Sequence, residues 1–303
     1  MRNNCKIPVE QLKVLLEQMG VHDAQIKPFD HAESIISDAC LITSSSRISV
    51  LKVYPRANDY HREVWALSNI KSSIPVPGFY RCLEAKGDFS GAILMEYLPE
   101  ELLHDNLWNN EIAFQIGDIL ARIHQKKEGY YGEVLPSERQ NTNAYDYFRQ
   151  KFYEELEECK DLISGSLYKK IHKFLTDQKQ NLLQTDGPCL VHRDFRPGNI
   201  LVKDNNVCGI IDWSGVRYGF AEQDICNIMI SINKNQNKIK ECFLKGYEGI
   251  RTVPDYKHIT PLINIGRALG IVGYLSQKKK RNPAEESLFK VWYDTLNDFD
   301  YHE

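Results

Sequence analysis

The sequence predicts an α+β fold in two lobes, with strands gathered in the first third and helices in most of the rest. Three observations carry this. Runs rich in β-branched and apolar residues fall at 39–43, 48–54, 79–84 and 91–97. Apolar residues recur at helical spacing over 112–124, 143–159 and 167–183, and again over most of 225–303. The stretch 189–213 interrupts the helices with short apolar strands, Leu190 with Val191 and then 200–202, around a polar loop. A third strand there, 208–211, ends on an aspartate.

Taken in order, residues 9–19 place Leu12, Leu15, Leu16 and Met19 on one helical face, and Gly20 supplies a stop. Ser44 to Arg47 form the turn between the first two strands. Lys52 alternates with Leu51 and Val53 on the second, where burying a lysine is costly unless its charge is paired. A helix over 59–70 follows, capped by Asp59 and carrying Glu63 eleven positions after Lys52. Pro75 to Pro77 mark a loop, and Lys86-Gly87-Asp88 turns the chain between the next strands. Residues 99–108 form a polar, acidic connector, so the lobes divide as 1–98 and 99–303.

Further on, His124 ends a helix and is expected to meet its free carbonyls. Lys278 to Arg281 read as a solvated helix end ahead of Asn282-Pro283. Asp294, Asp298, Asp300 and Glu303 make an acidic tail.

Composition narrows the function. A net charge of −3 argues against a nucleic-acid binder that works by bulk basicity. No apolar run approaches the ~18 residues of a membrane span. The opening M-R-N-N-C-K-I-P lacks the apolar core of a signal peptide. The eight cysteines form no C-x-x-C pair, which favours free thiols in a reducing, cytoplasmic setting over zinc or disulfides.

The chemistry is concentrated after residue 189. Asp194 and Asn199 stand five positions apart on the loop, and Asp212 follows thirteen positions later. That order suits phosphoryl transfer: one carboxylate faces the attacking hydroxyl, while an amide and a second carboxylate hold magnesium against nucleotide phosphates.

The run H-R-D-F-R-P-G-N resembles the kinase catalytic loop H-R-D-x-x-x-x-N. With the following I-I-D-W, residues 48–224 are similar to the aminoglycoside phosphotransferase and choline kinase superfamily, which shares the protein-kinase fold. The resemblance implies an N-terminal lobe with a five-stranded antiparallel sheet and a mainly helical C-terminal lobe. It pairs Lys52 with Glu63 at the α- and β-phosphates and lays 31–38 over the phosphates, although that segment lacks the glycines of protein kinases. It places the carbonyl of Glu96 and the amide of Leu98 on the purine, and Asn199 and Asp212 on Mg²⁺. Asp194 becomes the residue acting on the acceptor hydroxyl, with Arg196 beside the transferred group or merely paired to a carboxylate. Asp224 either braces the catalytic loop or is an ordinary helix-start carboxylate. Arg193, where antibiotic phosphotransferases carry a small residue, is expected in a structural ion pair.

No A-P-E follows Asp212, and only twelve positions separate it from Asp224, which leaves little room for a peptide platform. The implied activity is therefore ATP- or GTP-dependent phosphorylation of a small, cationic, hydroxylated acceptor, most directly an aminoglycoside-type antibiotic. Residues around 129–148 would help form its pocket, and the acidic tail would either hold its amines or stand solvated. A metabolic kinase acting on choline, homoserine, methylthioribose or a fructosamine is the alternative. A nucleotide-binding module without turnover is a third reading. Neither nucleic acid nor membrane is expected as a partner, and the oligomeric state is left open.

Overall fold

The computed structural model describes residues 7–28, 38–70, 74–86, 89–135, 140–233 and 235–300. Helix α1 (Val9–Gln18) buries Leu12, Leu15 and Leu16 and ends where Gly20 takes φ 74°. Strands β1 (Gln25–Pro28), β2 (Asp38–Thr43) and β3 (Ile48–Tyr54) follow, with the expected Ser44–Arg47 turn closed by a backbone bond. Helix α2 (Ala57–Asn69) then leads to β4 (Phe79–Lys86) and β5 (Phe89–Glu96). The five strands form one antiparallel sheet in the order β1-β2-β3-β5-β4, as expected.

One face of this sheet packs against α1 through Leu51, Val53 and Leu94. The other supports α2, whose Tyr60 ring occupies the space a side chain at Gly91 would fill; Gly91 itself has φ 152°. That close approach seats α2 flat on the sheet.

Asp59 is not the cap of α2. The helix begins two residues earlier, with Arg56 at its N-cap and no side-chain cap bond. Asp59 sits in the first turn, where it accepts from Arg56 and Arg62. A first-turn aspartate and a capping aspartate look alike in sequence, because both favour the positive helix end.

The connector is more than a linker. Its β6 (Glu101–Leu102) pairs with β10 (Ile200–Lys203), which forms a hairpin with β11 (Asn206–Ile210). Asp204 and Asn205, both with positive φ, make the two-residue turn. A second small sheet has the order β8-β7-β12-β9, built from β7 (Tyr131–Gly132), β8 (Gln140–Asn141), β9 (Cys189–Val191) and β12 (Arg217–Gly219). The strands flanking the loop 192–199, β9 and β10, therefore belong to different sheets.

The remainder is helical: α3 (Asn110–His124), α4 (Ala144–Glu158), α5 (Gly165–Asp177), α6 (Lys179–Leu183), α7 (Glu222–Ser231), α8 (Asn237–Glu248), α9 (Thr260–Ser276) and α10 (Pro283–Asn297). The helix expected over 167–183 is two, broken at Gln178. Helices α3 and α8 meet backbone to backbone, because Gly117 lies on the Phe243 carbonyl and Gly246 on the Phe114 carbonyl. Lys278 and Arg281 are not simply solvated; they pair with Glu285 and Glu286 of α10. In the tail, Asp300 pairs with Lys170 of α5, while Asp294 and Asp298 are exposed. Among the described residues the cysteines are free, and no helix is long and apolar enough to cross a membrane. The segment 31–37, the turn at 87–88 and Glu303 lie outside the described residues.

Candidate active site

The site begins with a lysine that the sheet forces inward. Lys52 stands opposite Ala39 and Ile93 in the middle of the sheet and is only 8% exposed. Its ammonium lies 2.6 Å from Glu63 Oε2 and 2.9 Å from Asp212 Oδ1. Burial alone would lower its pKa, but the two carboxylates outweigh that and raise it. Asp212 moves the other way: burial would raise its pKa, and Lys52 together with the Ser214 hydroxyl pulls it well below the usual carboxylate range. Tyr54 donates to the same Glu63 oxygen at 2.7 Å, so Glu63 is held from two sides.

Asp212 adopts a left-handed backbone (φ 62°, ψ 65°) as β11 ends. The fully buried Trp213 anchors that turn by donating from Nε1 to the Ile210 carbonyl at 2.9 Å. A non-glycine residue in this conformation carries strain, which the surrounding contacts must hold.

The loop that carries Asp194 and Asn199 is suspended from α7. Asp224, buried and in the first turn of that helix, accepts the amides of His192 and Arg193, each at 2.7 Å. The bracing role implied for Asp224 is what the geometry displays. Asn227, one turn on, donates to the Arg193 carbonyl at 3.0 Å. His192 closes the loop from within: its Nε2 meets the Ile211 carbonyl at 3.0 Å and its Nδ1 accepts the Asp194 amide at 3.3 Å.

His124 belongs to this support and not to its helix end. Fully buried, it contacts Asp224 Oδ2 at 3.3 Å and the Tyr247 hydroxyl at 2.9 Å. Burial lowers its pKa, so it is neutral; Nε2–H then donates to Asp224 while Nδ1 accepts from Tyr247. The interior position of its ring, set by the backbone contact of α3 with α8, removes it from the carbonyls the sequence suggested.

Asp194 is about half exposed, at 46% of its side chain. Arg196 Nε lies 3.1 Å from both its carboxylate oxygens, and Asn199 Nδ2 donates to Asp194 Oδ2 and to the Asp194 carbonyl, both at 2.8 Å. Arg196 thus pairs with Asp194 itself. The expected ion pair of Arg193 does not form with any described residue; Tyr147, Glu155, Asp224 and Glu133 act on its charge through space, and they outweigh burial to raise its pKa.

Glu96 ends β5, where its amide donates to the Gly78 carbonyl at 2.7 Å and its Oε2 accepts the Gly78 amide at 2.8 Å. Leu98 lies over Gly209 of β11, in space a larger residue there would take. Arg267 of α9 was not foreseen: its guanidinium stands 5.2 Å from the Trp292 ring, and its charge couples to Asp194 and Arg196. Tyr54, Ser214, Asn227 and Tyr247 were missed as well, since each acts through contacts distant in sequence.

Comparison with known proteins bears on the family and the fold. The model of the phosphotransferase enzyme family matches residues 31–257. No curated protein sequence matches the chain. Solved structures do. A Ralstonia eutropha protein described as an aminoglycoside phosphotransferase is 15% identical, covers 95% of this chain and 96% of its own, and gives a TM-score of 0.69. A Thermobifida fusca protein described as a fructosamine-3-kinase is also 15% identical, with coverage of 96% and 99% and a TM-score of 0.69. The ADP-bound aminoglycoside phosphotransferase APH(2'')-Ib is 18% identical, with coverage of 96% and 97% and a TM-score of 0.65. The fold is protein-kinase-like throughout.

Proposed function

The chain belongs to the phosphotransferase enzyme family, and from that premise we propose that it transfers the terminal phosphoryl group of ATP or GTP, with Mg²⁺, to a hydroxyl of a small amine-bearing acceptor of the aminoglycoside-antibiotic type. The observation that carries the reading is Lys52 held between Glu63 and Asp212 in the same site as the Asp194–Asn199 contact. In this reading Lys52 meets the nucleotide phosphates, and the backbone at Glu96 and Leu98 meets the purine.

Hard oxygen donors fit a magnesium ion. With its amide nitrogen on Asp194, Asn199 has Oδ1 without a described protein partner, and Asp212 Oδ2 likewise stays clear of Lys52 and Ser214. A magnesium ion there would neutralise charge gathering on the phosphate oxygens. Asp194 orients the acceptor hydroxyl. As that oxygen bonds to the terminal phosphorus, the bond to the bridging oxygen breaks, nucleoside diphosphate leaves, and the proton passes to the Asp194 carboxylate. Arg196, already on Asp194, is placed to meet charge on the transferred group. The short path from Asp212 to α7, taken up by a single turn and by β12, supports a small acceptor over a peptide.

One observation favours a metabolic acceptor of low positive charge, such as a sugar derivative: Arg196 and Arg267 both place positive charge around Asp194. Diphosphate release with ATP and with GTP across aminoglycosides, choline, homoserine, methylthioribose and fructosamines separates the two readings. Asp194→Asn should abolish release while nucleotide still binds; unchanged release would remove Asp194 from its role.

A further inference from the structure

Three arginines from separate parts of the chain converge around one carboxylate outside the nucleotide site. Arg62, next to Glu63 on α2, donates from Nε and Nη2 to the two oxygens of Glu133 at 2.7 and 2.9 Å. Arg217 of β12 brings Nε to within 3.5 Å of Glu133 Oε1. Arg193 of the catalytic loop acts on Glu133 through space. The small sheet explains the meeting. Tyr218 pairs with Gly132, which sets Arg217 beside Glu133, and Arg217 pairs with Val191, two residues before Arg193.

The cluster joins α2, the turn after Asp212 and β12. Arg62 is only 5% exposed and also donates to Asp59 at 3.0 Å and to the Ser214 carbonyl at 3.4 Å, just past Asp212. Without Glu133, Arg62 would keep Asp59 as its carboxylate partner. Buried Arg62 and partly buried Arg193 and Arg217 would nonetheless lose the anion between them, and like charges in that setting repel. Arg217 feels the neighbouring cations: burial first, then Arg193 and Arg62, push its pKa down to about 10. Relief would come most readily by α2 moving off the turn after Asp212, and Glu63 would go with it.

We propose that Glu133 is a positioning residue: its carboxylate joins Arg62 and Arg217 beside the catalytic loop and so keeps α2 where Glu63 meets Lys52. Glu133 reaches the cluster from the residue just after β7, and its carboxylate is the anion shared by Arg62 and Arg217. The kinetic part of this proposal rests on the phosphotransferase reading; its structural part does not.

The test compares the full chain with Glu133→Ala and Glu133→Gln. Diphosphate release from ATP or GTP with Mg²⁺ is measured alongside hydrogen exchange at the amides of α2, with and without formate, an anion small enough for the space left by Glu133→Ala. Release should fall on the order of 100-fold in both variants, as for a displaced reacting group, and α2 should exchange faster. Formate should restore release and α2 protection in Glu133→Ala, and leave wild type and Glu133→Gln unchanged. Wild-type behaviour of either variant, or a folded Glu133→Ala deaf to formate, would overturn the proposal. If Glu133→Ala does not fold, the isosteric Glu133→Gln decides through its exchange and rate. Should wild type release no diphosphate, the phosphotransferase reading falls, and α2 exchange still decides this one.

Discussion

Lys52 and Asp212 stand 2.9 Å apart although 160 positions separate them, and the same ammonium holds Glu63 at 2.6 Å. One cation thus joins the sheet, α2 and the turn after β11. Removing it leaves Glu63, 2% exposed, as a buried carboxyl with the Tyr54 hydroxyl as its one remaining partner among the described residues. Breaking such a pair from one side costs about 3–5 kcal/mol. Lys52→Met should therefore lower the urea midpoint strongly and abolish diphosphate release. A variant as stable as wild type would mean that α2 is held by other contacts.

Asp224 accepts two amides, those of His192 and Arg193, at 2.7 Å each. An asparagine can offer only one oxygen to the pair, and its amide group would face the other donor. Loss of one such charge-assisted bond costs about 1.5–3 kcal/mol. Asp224→Asn should lose stability of that size and slow turnover through the loop, with nucleotide affinity little changed because Lys52 is untouched. Loss of nucleotide binding in step with turnover would assign Asp224 a different role.

Much of this site was legible because its signals are local. Lys52 announces itself as a charge inside an apolar run, Glu63 by its place on the next helix, and Asp194, Asn199 and Asp212 by their spacing. The supports were not legible for the opposite reason. Glu133 reaches Arg62 across 71 positions and His124 reaches Asp224 across 100, and neither end carries a pattern of its own. The connector's pairing with β10 was hidden in a strand of two residues. The break between α5 and α6 falls at Gln178, with neither glycine nor proline to mark it. Asp59 misled because a first-turn carboxylate serves the helix dipole as well as a cap does.

The contact of α3 with α8 yields a prediction that reaches the site only through its outer support. Gly117 rests on the Phe243 carbonyl and the Tyr247 amide, so even a methyl group forces the helices apart. Overpacking of this kind costs about 1–3 kcal/mol. Gly117→Ala should lower the melting temperature and, by shifting Tyr247 from His124, weaken the support of Asp224. An unchanged melting temperature would show that α8 can slide without cost.

Glu222 gives the pH dependence a definite sign. It is 2% exposed, and burial raises its pKa from 4.5 to about 7, although the Asp186 amide donates to it at 3.0 Å. Between pH 4.5 and 7 the folded chain keeps this proton while the unfolded chain has released it, so Glu222 makes stability fall as pH rises through that window and level off above it. The total is about 3.5 kcal/mol at most, at ~1.4 kcal/mol for each unit of pKa. His124, whose pKa burial lowers, runs the other way, adding stability as pH climbs toward 6.5. Both proteins share His124, so comparing wild type with Glu222→Gln isolates the carboxyl. The variant should gain on wild type as pH goes from about 5 to about 7.5, read from urea midpoints. A gap that stays constant between those two values would mean that Glu222 ionises in the folded chain at its ordinary pH.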